Sequence, residues 1–255
     1  MISSRPYKRV QALERGLQLL QTLNRLGRAS PNELSLACEL DRTTSYRLLA
    51  TMEMLGFIAK SDSDDKYVLL PKVRQLSDGF TEHDEISLAV IRVLRELLDK
   101  VLWPSDYATF TEGSMVIQET THRFSPHSIH RAMVGRKRPL LRSALGRAYL
   151  AALTPEARSQ AMSLACATGH LAGTPEIYAQ EVEKLVLDYE ERGYAWSVGG
   201  TDARISAIAL PVQRDNLVFG SVNLIVFKTA MPVENVAERY LADLRHAVEV
   251  ISLRL

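Results

Sequence analysis

Apolar residues recur at helical spacing near the start of the chain. Between residues 9 and 26 they fall at every third or fourth position, which predicts an amphipathic helix ended by Gly27. The segment SPNE at 30–33 has the form of a capping box with proline at the first helical position. It predicts a second, shorter helix that runs through Cys38.

The third predicted helix has two different faces. Asp41 can cap its start, and the helix runs from Arg42 to about Met54 before Gly56 ends it. The helical repeat turns one face toward the core, and its members are Thr44, Ser45, Leu48, Leu49, Met52 and Leu55. The opposite face is basic and hydrogen-bonding, and its members are Arg42, Thr43, Tyr46, Arg47 and Ala50.

Two short strands, 57–60 and 66–70, flank the polar segment SDSDD and predict a hairpin. Helix, short helix, turn, helix and hairpin is the order of a winged helix-turn-helix domain, which we predict over residues 1–71. Lys60 and Lys66 at the base of the wing can contact phosphates. The wing tip is acidic and is not expected to enter a groove of DNA, since it holds Asp62, Asp64 and Asp65.

The remaining pattern predicts linker helices over 72–102 and a second domain over 103–255. In the second domain strands alternate with helices, which is typical of an α/β or α+β sheet domain. The predicted strands are 106–111, 115–120, 128–133, 204–212 and 220–227. The predicted helices are 143–153, 155–166, 176–192 and 233–253.

Composition excludes several protein classes. The 255 residues are 46% hydrophobic and 24% charged, with only two cysteines, so a disordered chain and a disulfide scaffold are excluded. The N-terminal residues do not resemble a signal peptide, and no apolar run approaches the length of a membrane span. We therefore expect a cytoplasmic protein that does not interact with a membrane.

The net charge of +1 hides two basic regions. Residues 1–60 hold nine Lys/Arg and five Asp/Glu, a net charge of +4, whereas residues 61–255 hold 22 and 25, a net charge of −3. Within the second region, no acidic residue occurs from Thr120 to Pro155, although that stretch contains seven Lys/Arg. Both regions favour anionic partners, and the first one suits DNA.

The second basic region fits either DNA or a small anionic molecule. Strand alternation over 128–133 would place Ile129, Arg131 and Met133 on one face of a sheet. The polar side chains of this strand would then point away from the sheet. The planar fork of arginine matches a carboxylate, which favours a small acid. The run 136–138 can equally be a solvated loop.

Metal binding and catalysis have little support in the sequence. Three histidines, His122, His127 and His130, lie close together, but their spacing matches no common ligand signature. We find no nucleophile elbow, zinc-protease motif, dinucleotide fingerprint or phosphate-binding loop. We therefore expect no catalytic residue, metal or cofactor.

Several segments together resemble the IclR family of transcriptional regulators, in matching order along nearly the whole chain. The segments are 10–23, 30–58, 69–80, 135–151, 191–196 and 204–212. Within the family, the motif WPSD at 103–106 and the segments 61–80 and 119–141 most resemble MhpR-like regulators of 3-hydroxyphenylpropionate catabolism.

The resemblance implies a homodimer or homotetramer on a palindromic operator, with a GAF-like α/β domain that binds a small effector in a cup on its sheet. The positions that match the family's effector site are Ser143, Ala144, Ser197, Ala207, Asn223 and Ile225. Ser197 replaces the family's usual acidic residue, Ala207 its cysteine, and Asn223 and Ile225 its serines. These departures favour an aromatic acid. The helix-turn-helix also lacks the family's usual glycine, so Glu39 or Leu40 is expected to adopt an unusual conformation.

We therefore expect a DNA-binding regulator, with similarity favouring an activator that contacts RNA polymerase, of an operon for aromatic compound catabolism. The expected DNA-binding residues are Arg42, Thr43, Thr44, Tyr46 and Arg47. The expected effector-binding residues add Arg123, His130 and Arg131 to the six positions above. The alternatives are a repressor that senses another organic acid, an enzyme with an accessory DNA-binding domain, and a metal-sensing repressor that uses the three histidines.

Overall fold

The structure is a computed structural model, and it describes residues 8–78, 85–130 and 132–255. The chain divides into two compact units, Met1–Thr81 and Glu82–Leu255. Within the described residues no helix has both the length and the apolar character needed to cross a membrane.

The first unit contains the predicted three helices and hairpin. Its helices are α1 (Gln11–Leu26), α2 (Pro31–Ala37), α3 (Arg42–Met54) and the short α4 (Gln75–Asp78), which follows a 3-10 turn at Pro71–Arg74. Its strands are β1 (Arg28–Ala29), β2 (Ile58–Lys60) and β3 (Tyr67–Leu69), in the order β1-β3-β2. The two-residue β1 was not predicted, because it is too short to show alternation.

Local hydrogen bonds place the helices as the sequence predicts. The capping box of α2 is complete, since Ser30 Oγ accepts from the Glu33 amide and Glu33 Oε2 accepts from the Ser30 amide at 2.7 Å. Asp41 Oδ1 accepts from the Thr44 amide at 2.8 Å and so caps α3. In the turn between these helices Glu39 has a φ of 53°, which confirms the unusual conformation expected there. A non-glycine residue in this region costs about 1 kcal/mol or more.

The second unit is built on a six-stranded antiparallel sheet, in the order β6-β5-β4-β9-β8-β7. Its strands are β4 (Ser105–Thr111), β5 (Ser114–Thr120), β6 (Lys137–Arg138), β7 (Ala195–Val198), β8 (Ile205–Arg214) and β9 (Leu217–Phe227). Its helices are α5 (Glu85–Val101), α6 (Ala144–Ala152), α7 (Pro155–Ala167), α8 (Ala179–Arg192) and α9 (Val233–Ser252). A 3-10 turn at Pro175–Tyr178 precedes α8.

Strand alternation gives the sheet two different faces. On β8, Ile208 and Leu210 belong to a core shared with α5 and α9, whereas Ala207 and Ala209 pack in a cluster with α6. On the α6 side of β8 these residues are small, so the start of the helix lies close to this strand. Larger side chains of β5, including Met115 and Ile117, pack in a separate core on the same side of the sheet.

The strand predicted at 128–133 is wrong, because its described residues form a loop. Ser128 Oγ donates to the carbonyl of His130 and accepts from the His130 amide, and these local bonds replace those of a strand. The helix predicted at 176–192 begins instead as a 3-10 turn. The linker predicted over 72–102 contains two helices. Helix α4 lies in the first unit, whereas the apolar side of α5 belongs to the core of the second unit. The domain boundaries predicted from the sequence, 1–71, 72–102 and 103–255, stay predictions.

Gly146 in the first turn of α6 provides a test of how closely this turn packs against the preceding segment at Leu140. A Cβ at this position would overlap the backbone of Leu140, so Gly146→Ala is expected to destabilise the second unit by about 1–3 kcal/mol. Chemical denaturation followed by circular dichroism measures the change. The control is Gly16→Ala in α1, where a Cβ meets no atom closer than 3.5 Å and helix propensity favours alanine by up to about 1 kcal/mol. Equal effects of the two substitutions would contradict the packing described.

Candidate functional site

A cavity of about 100 Å³ opens on the α6 side of the sheet in the second unit. It lies between the first turn of α6, the central strands and the loop that follows β5. Its charged and ionisable lining residues are Asp106, His122, His127, His130, Arg136, Arg138 and Asp202. A cavity of this order can hold several waters or a small organic molecule.

Seven of the nine predicted effector-binding residues line this cavity. They are His130, Ser143, Ala144, Ser197, Ala207, Asn223 and Ile225. Arg123 does not line it, because its guanidinium lies 4.5 Å from the ring of Phe124. Arg131 lies outside the described residues.

Part of the cavity wall is apolar and comes from strand alternation. Ala207 on β8 and Ile225 on β9 are partners in the sheet register, and both pack against Ala144 at the start of α6. The Ser143 hydroxyl caps α6 by accepting from the Gly146 amide at 3.0 Å. Ser197 Oγ accepts from the Ala144 amide at 3.2 Å. This wall can contact the flat face of a ring, and the helix start favours negative charge.

Asp106 and His122 form a buried pair in another part of the cavity. Asp106 Oδ1 accepts from the Thr120 hydroxyl at 2.6 Å, and the Asp106 amide donates to Asn223 Oδ1 at 2.8 Å. The second oxygen, Oδ2, lies 3.7 Å from His122 Nε2. Burial raises the pKa of the Asp106 carboxyl, but the adjacent His122, the Thr120 hydroxyl and the charge of Arg138 lower it by more. The pKa therefore lies below its usual value and the group is a carboxylate.

His130 and Asp202 form a second, more open pair. His130 Nε2 lies 3.4 Å from Asp202 Oδ2, and Arg204 holds both oxygens of Asp202 at 3.0 and 2.7 Å. The hydrogen bonds from Arg204 hold the pKa of Asp202 far below its usual value. Burial lowers the pKa of His130, with Asp202 opposing that change. Asp202 is therefore a carboxylate whose charge Arg204 already balances.

Arg138 supplies a cation inside the cavity. The two-residue β6 turns Lys137 outward to Glu112, whose carboxylate lies 3.8 Å away, and turns Arg138 inward. Within the described residues no carboxylate lies within 4.0 Å of Arg138, and its Nη2 makes a weak contact with Met133 Sδ at 3.9 Å. Burial lowers the pKa of Arg138, opposed by the charges of Asp106 and Asp202, but arginine remains charged.

The sequence indicated some of this site and missed the rest. Arg138 belongs to a run that fitted a solvated loop equally well, and only its pairing with β5 decides which way it points. Asp106 and Asp202 were not expected, because they lie outside the basic stretch 120–155 and come to it through the fold. Within the described residues no group of three or more His, Cys, Asp and Glu side chains is arranged to hold a metal ion.

The first unit presents the predicted outer face of α3 to solvent. Arg42, Thr43, Tyr46 and Arg47 are exposed, Thr44 is half-buried, and Ser45 and Leu49 lie in the core. Leu55 differs from the prediction, because it is exposed. Arg42 is tied to α2, since its Nη2 donates to Asn32 Oδ1 at 2.7 Å.

Most charges of the wing are balanced within the unit. Arg28 Nη2 lies 2.7 Å from Asp64, Lys60 Nζ lies 2.8 Å from Asp65, and Lys66 Nζ lies 3.4 Å from Glu33. Lys60 and Lys66 are therefore engaged within the domain, and the wing offers little free positive charge to a phosphate. Within the described residues the guanidinium of Arg47 has no carboxylate within 4.0 Å, so the outer face of α3 carries a cation that is free of an ion pair.

Two family models match the chain. Residues 12–62 match the IclR helix-turn-helix domain, and residues 81–253 match the C-terminal domain of IclR bacterial transcriptional regulators. The two matches correspond to the two units of the structure. They confirm the fold class predicted from the sequence, a helix-turn-helix domain followed by an α/β effector-binding domain.

Named relatives and a solved structure agree with the models. The regulator KdgR of Escherichia coli is 26% identical over 241 residues, covering 93% of this chain and 89% of KdgR. The transcriptional repressor IclR of Escherichia coli is 28% identical over 157 residues, covering 58% and 54%. An IclR homologue from Microbacterium hydrocarbonoxydans, solved with 4-hydroxybenzoate, has a TM-score of 0.60 at 17% identity, covering 95% of this chain and 98% of that one. At 17% identity, the similarity between this chain and that structure shows a shared fold.

Proposed function

This chain belongs to the IclR family of DNA-binding transcriptional regulators, and we propose that it controls an aromatic catabolic operon in response to a small aromatic carboxylic acid. The observation that carries the effector class is the cavity, in which Arg138 lies without a carboxylate partner in the described residues beside an apolar wall. A buried cation without a directly bonded carboxylate is costly, and a bound carboxylate would satisfy it.

The other features of the site support an acid with a ring. Arg138 can bind a carboxylate through its planar fork, and the Ala144, Ala207 and Ile225 wall offers a surface of ring size. The structural neighbour solved with 4-hydroxybenzoate is a homologue of the same fold that holds an aromatic acid. An MhpR-like specificity gains no support from the relatives reported above. The sign of regulation is not proposed either, since the relative whose name states a sign is a repressor.

The proposed DNA contact is the outer face of α3 in the major groove, with Arg42, Thr43, Thr44, Tyr46 and Arg47 as its candidate residues. Arg47 is the residue best placed to test it. Arg42 is already bonded to Asn32, whereas Arg47 has no ion pair in the described part of the chain. Arginine commonly reads guanine through two hydrogen bonds.

Arg47→Ala is expected to weaken operator binding about tenfold or more, because a bidentate arginine–guanine contact contributes roughly 1–3 kcal/mol. Fluorescence anisotropy with operator DNA at fixed salt measures the change. The control is Arg214→Ala, which removes the same charge from an exposed position of the second unit. A variant that binds operator as tightly as the control would show that this face does not read DNA.

Arg138→Gln is expected to lower the affinity for benzoate or 3-phenylpropionate at least tenfold, because it removes the cation that faces the carboxylate. The affinity for the corresponding primary amide is expected to change by less than about threefold. Isothermal titration calorimetry measures both, and Arg136→Gln provides the control for a second cation in the lining. Equal losses for the acid and the amide would remove Arg138 as the anion-binding residue.

The family resemblance also implies pairing of two copies, and the first unit offers a surface for it. Val10, at the N-cap of α1, and Leu13 and Leu17 within it are exposed at 66%, 62% and 51%, and the other side of the helix is core. Leu13, Leu17 and Leu76 line one apolar groove. Two copies joined here would present two α3 helices to the two halves of a palindromic operator.

Leu17→Asp is expected to shift the protein from dimer to monomer at micromolar concentration, because it places a charge in the proposed apolar interface. Analytical ultracentrifugation gives the mass. Leu187→Asp in α8 is the matched control, since Leu187 is exposed to a similar degree in the other unit. If Leu17→Asp leaves the mass unchanged while Leu187→Asp lowers it, the pairing surface lies elsewhere.

A further inference from the structure

Two buried polar atoms of the cavity lack a hydrogen-bond partner in the described residues. They are Asp106 Oδ2 and His122 Nε2, on side chains that are 0% and 4% exposed. Both residues line the cavity. A buried polar atom without a partner is destabilising, and in a binding site it marks a group that a ligand can satisfy.

The contacts of Ser128 favour a proton on Nδ1 of His122. When Ser128 Oγ donates its one hydrogen to the His130 carbonyl at 2.8 Å, its contact with His122 Nδ1 is a bond in which Nδ1–H donates. In either protonation state Nε2 lies 3.7 Å from Asp106 Oδ2, which is too far for a hydrogen bond between them, so the ionised Oδ2 lacks a donor.

The separation of the two atoms leaves space for a third atom between them. At 3.7 Å they are too far apart to bond directly, whereas an oxygen about 2.8 Å from each would be at ordinary hydrogen-bond distance. We propose that Asp106 and His122 bind a hydroxyl group of the effector, which donates to Asp106 Oδ2 and contacts His122 Nε2. This inference rests on the proposed function, and it narrows the effector to a hydroxylated aromatic acid.

Other chemical groups fit this position less well. A second carboxylate would face the negative charge of Asp106, and a methoxy oxygen has no hydrogen to donate. Asn223 Oδ1 accepts from the backbone amide of Asp106, and within the described residues the Asn223 side chain does not bond Asp106 Oδ2. A hydroxyl supplies the donor without adding a charge to the site.

The test compares three groups at one ring position. Isothermal titration calorimetry is carried out on the full chain with benzoate and 3-phenylpropionate, with their 2-, 3- and 4-hydroxy derivatives and with the matching methoxy derivatives. At least one hydroxy acid is expected to bind about tenfold or more tightly than both its parent acid and its methoxy derivative. This comparison needs no variant, so it does not depend on a substituted protein folding.

Asp106→Asn and His122→Asn identify the residues responsible. Asparagine at 106 can keep the Thr120 bond but turns an amide N–H toward the ligand, so hydroxy and methoxy acids are expected to bind within about twofold of each other. Asparagine at 122 keeps a donor for Ser128 and removes Nε2, which is expected to reduce the hydroxyl preference. Asp215→Asn is the control, since it removes the same charge from an exposed turn outside the cavity. It is expected to keep the wild-type preference.

The outcomes separate this inference from the proposed function. If the acids bind but the hydroxy derivatives have no advantage over parent and methoxy acids, the inference fails and the aromatic-acid effector stands. If no acid binds, both fail. If the preference exists but survives Asp106→Asn unchanged, the hydroxyl is bound elsewhere and the inference fails.

Discussion

The close approach of α6 to the central strands is the contact on which the second unit depends. Ala144 and Ala148 on the helix meet Ala207 and Ala209 on β8, and Gly146 leaves no space for a side chain against Leu140. Small residues on both sides bring the start of the helix down to the sheet. Because the first turn of α6 lies there, the cavity combines an apolar wall with the positive end of a helix. A larger residue at any of these contacts would displace both features together.

The partners of the charged side chains distinguish the remaining lining residues of the cavity. Asp202 is balanced by Arg204, and Asp106 is supported by Thr120 and lies beside His122. Among the described residues, Arg138 is left without a bonded carboxylate and Asp106 Oδ2 and His122 Nε2 without a hydrogen-bond partner, and these are the groups that a ligand could bond. A ligand that satisfies them changes DNA binding only if it binds two conformations of the protein with different affinities. Under the proposed function, binding of an acid would supply that free-energy difference.

Local rules predicted the first unit well because its structure is local. The capping box at 30–33, the Asp41 cap and the alternating burial of α3 each depend on residues within one or two turns, so the sequence contains the whole cause. The glycine-free turn was identified as unusual for the same reason, and Glu39 has the positive φ that the turn requires. The strand at 128–133 was wrong because one serine side chain, Ser128, bonds the backbone locally.

The site could not be read from local sequence to the same extent. The stretch 120–155 has no acidic residue, which suggested a strongly cationic surface. The fold brings Asp106 from β4 and Asp202 from the loop before β8 to the same cavity, so part of that charge is balanced in space. Strand pairing decides which cation faces the cavity. Lys137 and Arg138 are neighbours in sequence, but β6 turns Lys137 to solvent and Arg138 inward. A run of like charges in a sequence thus does not show which of its members faces a cavity, because strand pairing decides it.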